Sequence, residues 1–256
     1  AFEHQRLPTV RIRLLLQPGH TGQAERHFAA ARAALRSYGE WFGPYPYGQL
    51  TIVDPAWQSD AGGMEYPTLI TAGTRWLAPR DAAVPESVVI HEVGHQFWYG
   101  VVATNEFEHA WMDEGINSYV QGRVMQEHFR SNREVKRYFG GFLPRVLPWT
   151  REPEDARIET YRPLAAAEVP ATPSWRYRPG SGGAVSYAKT VLSLQTIERM
   201  VGWPVMQRAL AAYYARWAFR HPRPADFFAV LNEATGGDLS WFVDQTWRGW
   251  RNAQRA

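Results

Sequence analysis

From Val10 to Leu16 polar and apolar positions alternate and then run apolar, the pattern of a strand. From Gly22 to about Phe42 the pattern becomes an alanine-rich helical one, closed by Gly43-Pro44 and a turn rich in proline, glycine and tyrosine. Leu50–Val53 predicts a short strand. Glu65–Thr71, entered through Ala61-Gly62-Gly63, predicts another, which Pro67 confines to an edge or makes irregular. Pro85 suits the first turn of a helix running to about Val101, and a second helix covers about His109 to Phe129. About Pro144 to Gly183 is rich in proline, arginine and glycine with little periodicity, which predicts a long, partly irregular connection. Helical patterns return at about Val185–Val201, Pro204–Trp217, Pro224–Thr235 and Leu239–Trp247. The sum is α+β: a mixed part over residues 1–102 and an all-helical part over 103–256, meeting at the helix that starts near Pro85 and together forming one domain.

Inside that helix stands His-Glu-x-x-His: His91, Glu92 and His95 in IHEVGHQFWYG. Four residues are just over one helical turn, so both imidazoles project from one face. Two neutral imidazoles so placed can grip one Zn²⁺, and the glutamate between them can act as general base on water. A catalytic zinc needs a third protein ligand and an open fourth position. Glu114, nineteen positions after His95 in AWMDEGINSY, completes a His₂Glu set. The neighbours Val88, Val89, Ile90, Val93 and Phe97 are apolar, so three polar groups among them are costly unless bound or paired. Gly94 costs about 1 kcal/mol relative to alanine in a helix interior, which predicts close packing of another element there. The other histidines (His4, His20, His27, His109, His128, His221) lack partners at ligand spacing and are expected to be surface or hydrogen-bonded residues.

Composition narrows this further. At 256 residues and 45% hydrophobic, the chain is long and apolar enough for a substantial core. No run of 18 apolar residues predicts a membrane helix. With no cysteine, disulfides and thiolate metal sites are excluded. The net charge of +3 comes from scattered arginine rather than a basic cluster, so no nucleic-acid partner is expected. The chain opens on Ala1 without a signal-peptide pattern; it reads as a segment of a longer multidomain protein, and its compartment stays open.

These residues resemble the M1 family of zinc aminopeptidases, among the gluzincins. WFGPYPYGQL (Trp41–Leu50) looks like the family's Phe-Gly-x-Pro-Tyr-Pro block. GGMEY (Gly62–Tyr66) is similar to its Gly-x-Met-Glu-Asn exopeptidase motif. HEVGH and WMDEG supply the zinc set with the family's spacing, residues 96 to 113 intervening. SYAKT (Ser186–Thr190) resembles the block carrying its catalytic tyrosine, and DLSWFVDQTW resembles the close of its catalytic domain. The chain departs from the pattern in three places. Tyr66 stands where the motif has Asn, Gly100 falls one place later than the usual Gly, and Gln121 replaces a common Glu. They suggest a divergent bacterial-type branch.

The resemblance implies a thermolysin-like, two-lobed metallopeptidase catalytic domain with one Zn²⁺ per chain on His91, His95 and Glu114. It implies Glu92 as general base and Tyr187 as donor to the tetrahedral intermediate. Gly62, Gly63, Met64 and Glu65 would bind substrate, Glu65 taking the free α-amino group of a peptide. The motifs leave open a zinc endopeptidase with an open cleft, a zinc-bound non-catalytic binding domain, and the epoxide hydrolase activity of one family branch.

Overall fold

The computed structural model describes residues 1–56, 59, 61–73, 83–129, 134–135, 150–151, 153–164 and 168–248. Its main sheet is built from β1 (Arg11–Leu15), β2 (Gln49–Val53), β3 (Gly63–Met64) and β4 (Leu69–Ala72), in spatial order β1-β2-β4-β3. β1, β2 and β4 run parallel, and β3 lies antiparallel on the β4 edge. The register sets Ile12 beside Leu50 and Ile52 beside Ile70, all buried. Parallel neighbours need a crossover, and α1 (Ala24–Trp41) supplies it between β1 and β2. Its alanines favour helix and leave a smooth buried face of Ala30, Ala31, Ala34, Leu35 and Tyr38.

That face packs on α2 (Val84–His95), whose Val89, Ile90 and Val93 are all buried. Arg26 fastens the starts of the two helices, Nε at 2.5 Å and Nη2 at 2.8 Å from the two Glu86 oxygens. Pro85 sits in the first turn of α2, as expected. The helix stops at His95, short of the Val101 the sequence predicts. The amides of Gln96 and Phe97 bond back only three residues, to Val93 and Gly94, and Tyr99 then takes a φ of 112° that no helix allows. Phe97, Trp98 and Val101 stay buried beyond the helix end, so the apolar pattern continues where the helix does not.

The expected strand over Glu65–Thr71 forms only from Leu69 onward, as β4; β3 lies before it, at Gly63–Met64, and the turn between them holds Thr68 at φ 60°. The expected helix from His109 to Phe129 is broken too. It comprises α3 (Glu106–Ala110), kinked at His109, a π-helical turn over Trp111–Gly115, and α4 (Ile116–His128).

The remainder is mostly but not entirely helical: β5 (Glu134–Val135) and β6 (Thr150–Arg151) form a small antiparallel ladder. The stretch expected to be irregular contains α5 (Pro153–Tyr161); its residues 144–149, 152 and 165–167 lie outside the described residues. A π-helical segment over Gly183–Lys189 leads into α6 (Thr190–Val201), followed by α7 (Trp203–Trp217), α8 (Pro224–Thr235), α9 (Ser240–Val243) and a last π turn over Asp244–Arg248. One cluster of buried side chains runs from Phe2 to Trp247. Aromatic edge contacts stitch it, among them Tyr38–Phe97 at 5.4 Å, Phe42–Trp98 at 4.9 Å and Trp111–Trp247 at 5.4 Å.

Candidate metal centre

His91 and His95 stand one turn apart on α2, with ring planes at 90° and Nε2 atoms 3.0 Å apart. The π turn over Trp111–Gly115 brings Glu114 to meet them, its Oε2 lying 3.2 Å from each Nε2. The wider π turn belongs to a class of helix defect common at functional sites.

Each imidazole is fixed from behind. Gln121 donates its amide nitrogen to the carbonyl and the hydroxyl of Ser87, both at 2.9 Å, which leaves its Oε1 to accept from His91 Nδ1 at 3.1 Å. Asp113 Oδ1 accepts from His95 Nδ1 at 2.5 Å. Both imidazoles therefore carry their proton on Nδ1 and turn a lone pair inward from Nε2. Two lone pairs and a carboxylate oxygen facing one another at 3.0–3.2 Å repel unless a cation sits among them. Tetrahedral ligands at about 2.0–2.1 Å from zinc are separated by about 3.3–3.4 Å. The donor set, its tautomers and its spacing fit zinc.

The second helix face fixes the backbone. Asn117 Nδ2 donates to the His91 carbonyl at 2.9 Å, and a β-carbon on Gly94 would lie 1.9 Å from Asn117 Oδ1. The glycine admits α4, as its place in the helix predicts.

Glu92 is buried, and its Oε2 has no hydrogen-bond partner among the described residues. Burial first, and the nearby Glu65, Glu114 and Asp113 carboxylates after it, push its carboxyl up to about 8 against the pull of His95. A cation bound beside it opposes that shift. Burial alone would lower the His95 imidazole, but Asp113 and Glu114 outweigh it and hold it above its ordinary range, so a proton on Nε2 competes with a metal cation for the lone pair turned inward.

Tyr187, on the π-helical segment before α6, stacks on His91 at 6.0 Å between centroids, with the Glu114 carboxylate near its phenol. Burial and that carboxylate raise its phenol, so it stays protonated and able to donate. Gly63 lies against the Glu92 carboxylate. Met64 is partly exposed on the free edge of the sheet, and Gly62 is exposed beside it. Glu65 reaches within 4.8 Å of the polar atoms of Glu92 and His95. All nine residues singled out in the sequence thus gather in one region.

Sequence reasoning missed three supports. Asp113 was visible as a second acid beside Glu114. Gln121 was noted only as a departure from the family pattern. Gln96 gave no signal: buried next to His95, it accepts from Thr68 N at 2.8 Å and donates to the carbonyls of Glu65 and Tyr66 at 3.2 and 3.1 Å. That clamp makes the turn between β3 and β4. Five of the other histidines are hydrogen-bonded away from the centre, His20 to Asp54 and His128 to Ser37 through side chains, His27 and His221 to backbone carbonyls, and His4 to the Arg6 amide.

Residues 27–247 match the family model described as "Peptidase family M1 domain". Aminopeptidase 2 of Candida albicans is 26% identical over 247 residues, 92% of this chain and 25% of that protein. Aminopeptidase M1-A of Oryza sativa subsp. japonica is 25% identical over 239 residues, 88% of this chain and 25% of that protein. The chain spans about a quarter of the length of these relatives. Leukotriene A-4 hydrolase of Xenopus laevis is 36% identical, but over only 40% of this chain. Among solved structures, aminopeptidase A of Legionella pneumophila, in complex with aspartic acid, superposes with a TM-score of 0.69 at 17% identity, covering 91% of this chain and 26% of that one. An M1 zinc metallopeptidase from Deinococcus radiodurans gives 0.61 at 18% identity, covering 90% and 46%. The α+β fold is that of these metallopeptidases. No described helix is long and apolar enough to cross a membrane.

Proposed function

The chain belongs to peptidase family M1, and we propose from this that it is the catalytic domain of a zinc aminopeptidase, holding one zinc on His91, His95 and Glu114. The observation that carries the reading is the pair of fixed tautomers. Asp113 and Gln121 hold both imidazole protons away from the centre, so two lone pairs meet the Glu114 carboxylate at one point. When bound, zinc supplies a Lewis acid that lowers the pKa of water and polarises a carbonyl.

The chain's own groups supply the rest. Glu92 takes a proton from the attacking water as its oxygen bonds to the scissile carbonyl carbon. It then delivers that proton to the leaving nitrogen as the C–N bond breaks. Its unsatisfied buried oxygen and raised basicity suit both transfers. The Tyr187 hydroxyl donates to the oxyanion that develops during attack. Gly62, Gly63 and Met64 line the free edge of β3, where an extended substrate backbone can lie alongside. Glu65 takes the substrate's N-terminal ammonium and so favours peptides with a free N-terminus.

In this reading residues 1–102 and 103–256 form two lobes of a thermolysin-like domain within a longer, multidomain protein. The free edge of β3 is one wall, α2 the floor, and Tyr187 reaches in from the second lobe. Metal analysis after zinc loading tests the centre: one zinc per chain is expected, lost in His91→Ala or Glu114→Ala. No stoichiometric zinc in the parent chain contradicts it.

A further inference from the structure

Beside the metal centre, Glu65, Glu106 and Asp113 bring carboxylate oxygens within 4.8 Å of one another. No lysine or arginine pairs with Glu65 or Glu106 among the described residues. Asp113 is fully buried; its Oδ1 takes the His95 proton, and its Oδ2 has no hydrogen-bond partner among the described residues. Carboxylates so gathered repel, and a buried oxygen without a donor costs free energy, so the group is poised for a cation from outside.

Tyr99 frames this cluster. Its hydroxyl lies 3.5 Å from Glu106 Oε1, and its φ of 112° is one that side-chain-bearing residues avoid. It occupies the place where the family resemblance expects glycine. The chain accepts that strained backbone and carries a phenol against Glu106 there.

The reach of the oxygens together with their number and exposure says which cation. One ammonium nitrogen held by two carboxylate oxygens at about 2.8 Å and a tetrahedral angle separates those oxygens by about 4.6 Å. Carboxylate oxygens within 4.8 Å of one another admit that arrangement. Glu65 is also within 4.8 Å of Glu92 and His95, so an ammonium beside it stands next to the place where a first peptide carbonyl would react. A hard divalent ion would need six or more oxygens, whereas Glu106 is exposed and Asp113 is shut away behind His95.

We propose that Glu106 is a specificity-determining residue that, together with Glu65, holds the N-terminal ammonium of the peptide, with Asp113 adding its field from below. The proposal rests on the aminopeptidase reading. It gives this chain a second amine-binding carboxylate of its own, on the short helix that follows α2.

The test is calorimetric binding of Leu-Ala-Ala and of acetyl-Leu-Ala-Ala to the zinc-loaded Glu92→Gln chain, which can hold peptide without turning it over. Adding Glu106→Gln should weaken binding of the free tripeptide about five- to tenfold and leave the acetylated one unchanged. Glu108→Gln, the same charge change two residues on, should alter neither. Unchanged binding of the free tripeptide in Glu106→Gln overturns the proposal. Equal binding of both tripeptides before Glu106 is changed overturns it together with the free-N-terminus reading. A selective loss in Glu106→Gln, from a parent chain that cleaves no peptide, upholds the site and removes only the catalytic reading.

Discussion

Gly63 and Glu92 touch so closely that a β-carbon on residue 63 would fall 2.0 Å from Glu92 Oε1. The edge strand β3 and the helix α2 thereby meet at the carboxylate proposed as general base. Gly63→Ala forces Glu92 or β3 to move by about 1 Å. A misplacement of that size can cost about 10²-fold in turnover. Zinc content should be unchanged, because no ligand is touched. Steady-state kinetics beside metal analysis checks this; full kcat with alanine at 63 would show that the contact does not set Glu92.

Asp113 and Gln121 act through the histidines they orient. Asp113→Ala frees His95 Nδ1 and Gln121→Ala frees His91 Nδ1, so each ring loses its fixed tautomer. Supports of this kind are worth about 10–100-fold in metal affinity. Competition with a chromogenic chelator should show zinc bound that much more weakly in both variants. Parent-like affinity in both would remove the argument from tautomers.

Glu92→Gln keeps the size of the side chain and its distance from the ligands but loses the proton acceptor. It should retain zinc and lose at least the 10²–10⁴-fold typical of a general base. Tyr187→Phe should lower kcat more than it raises KM, because the bond forms mainly in the transition state. Unchanged kcat in either variant would take the assigned role from that residue.

The proposed metal ligands were legible because helical spacing alone puts His91 and His95 on one face, and Glu114 follows at a telling distance. Tyr187 and Glu65 were legible only through resemblance, since nothing in their local pattern points inward. The ends of elements were not legible. Phe97, Trp98 and Val101 are apolar because they are buried, whether or not the helix continues, so periodicity overran the stop at His95. The strand expected over Glu65–Thr71 is cut by Gln96, a residue some thirty positions away, through bonds to Glu65, Tyr66 and Thr68. The π turns that carry Glu114 and Tyr187 shift a helix by a single residue, too small a change for a 3.6-residue repeat to reveal.

The central claim is that this zinc centre removes residues from free N-termini, and paired rates on leucine p-nitroanilide and its N-acetyl form test it most directly. The zinc-loaded chain should cleave the free substrate at least tenfold faster, the scale of one charge-assisted bond made or lost, and a chelator should abolish that rate. Equal rates on the two substrates, or a rate that survives zinc removal, would contradict the account.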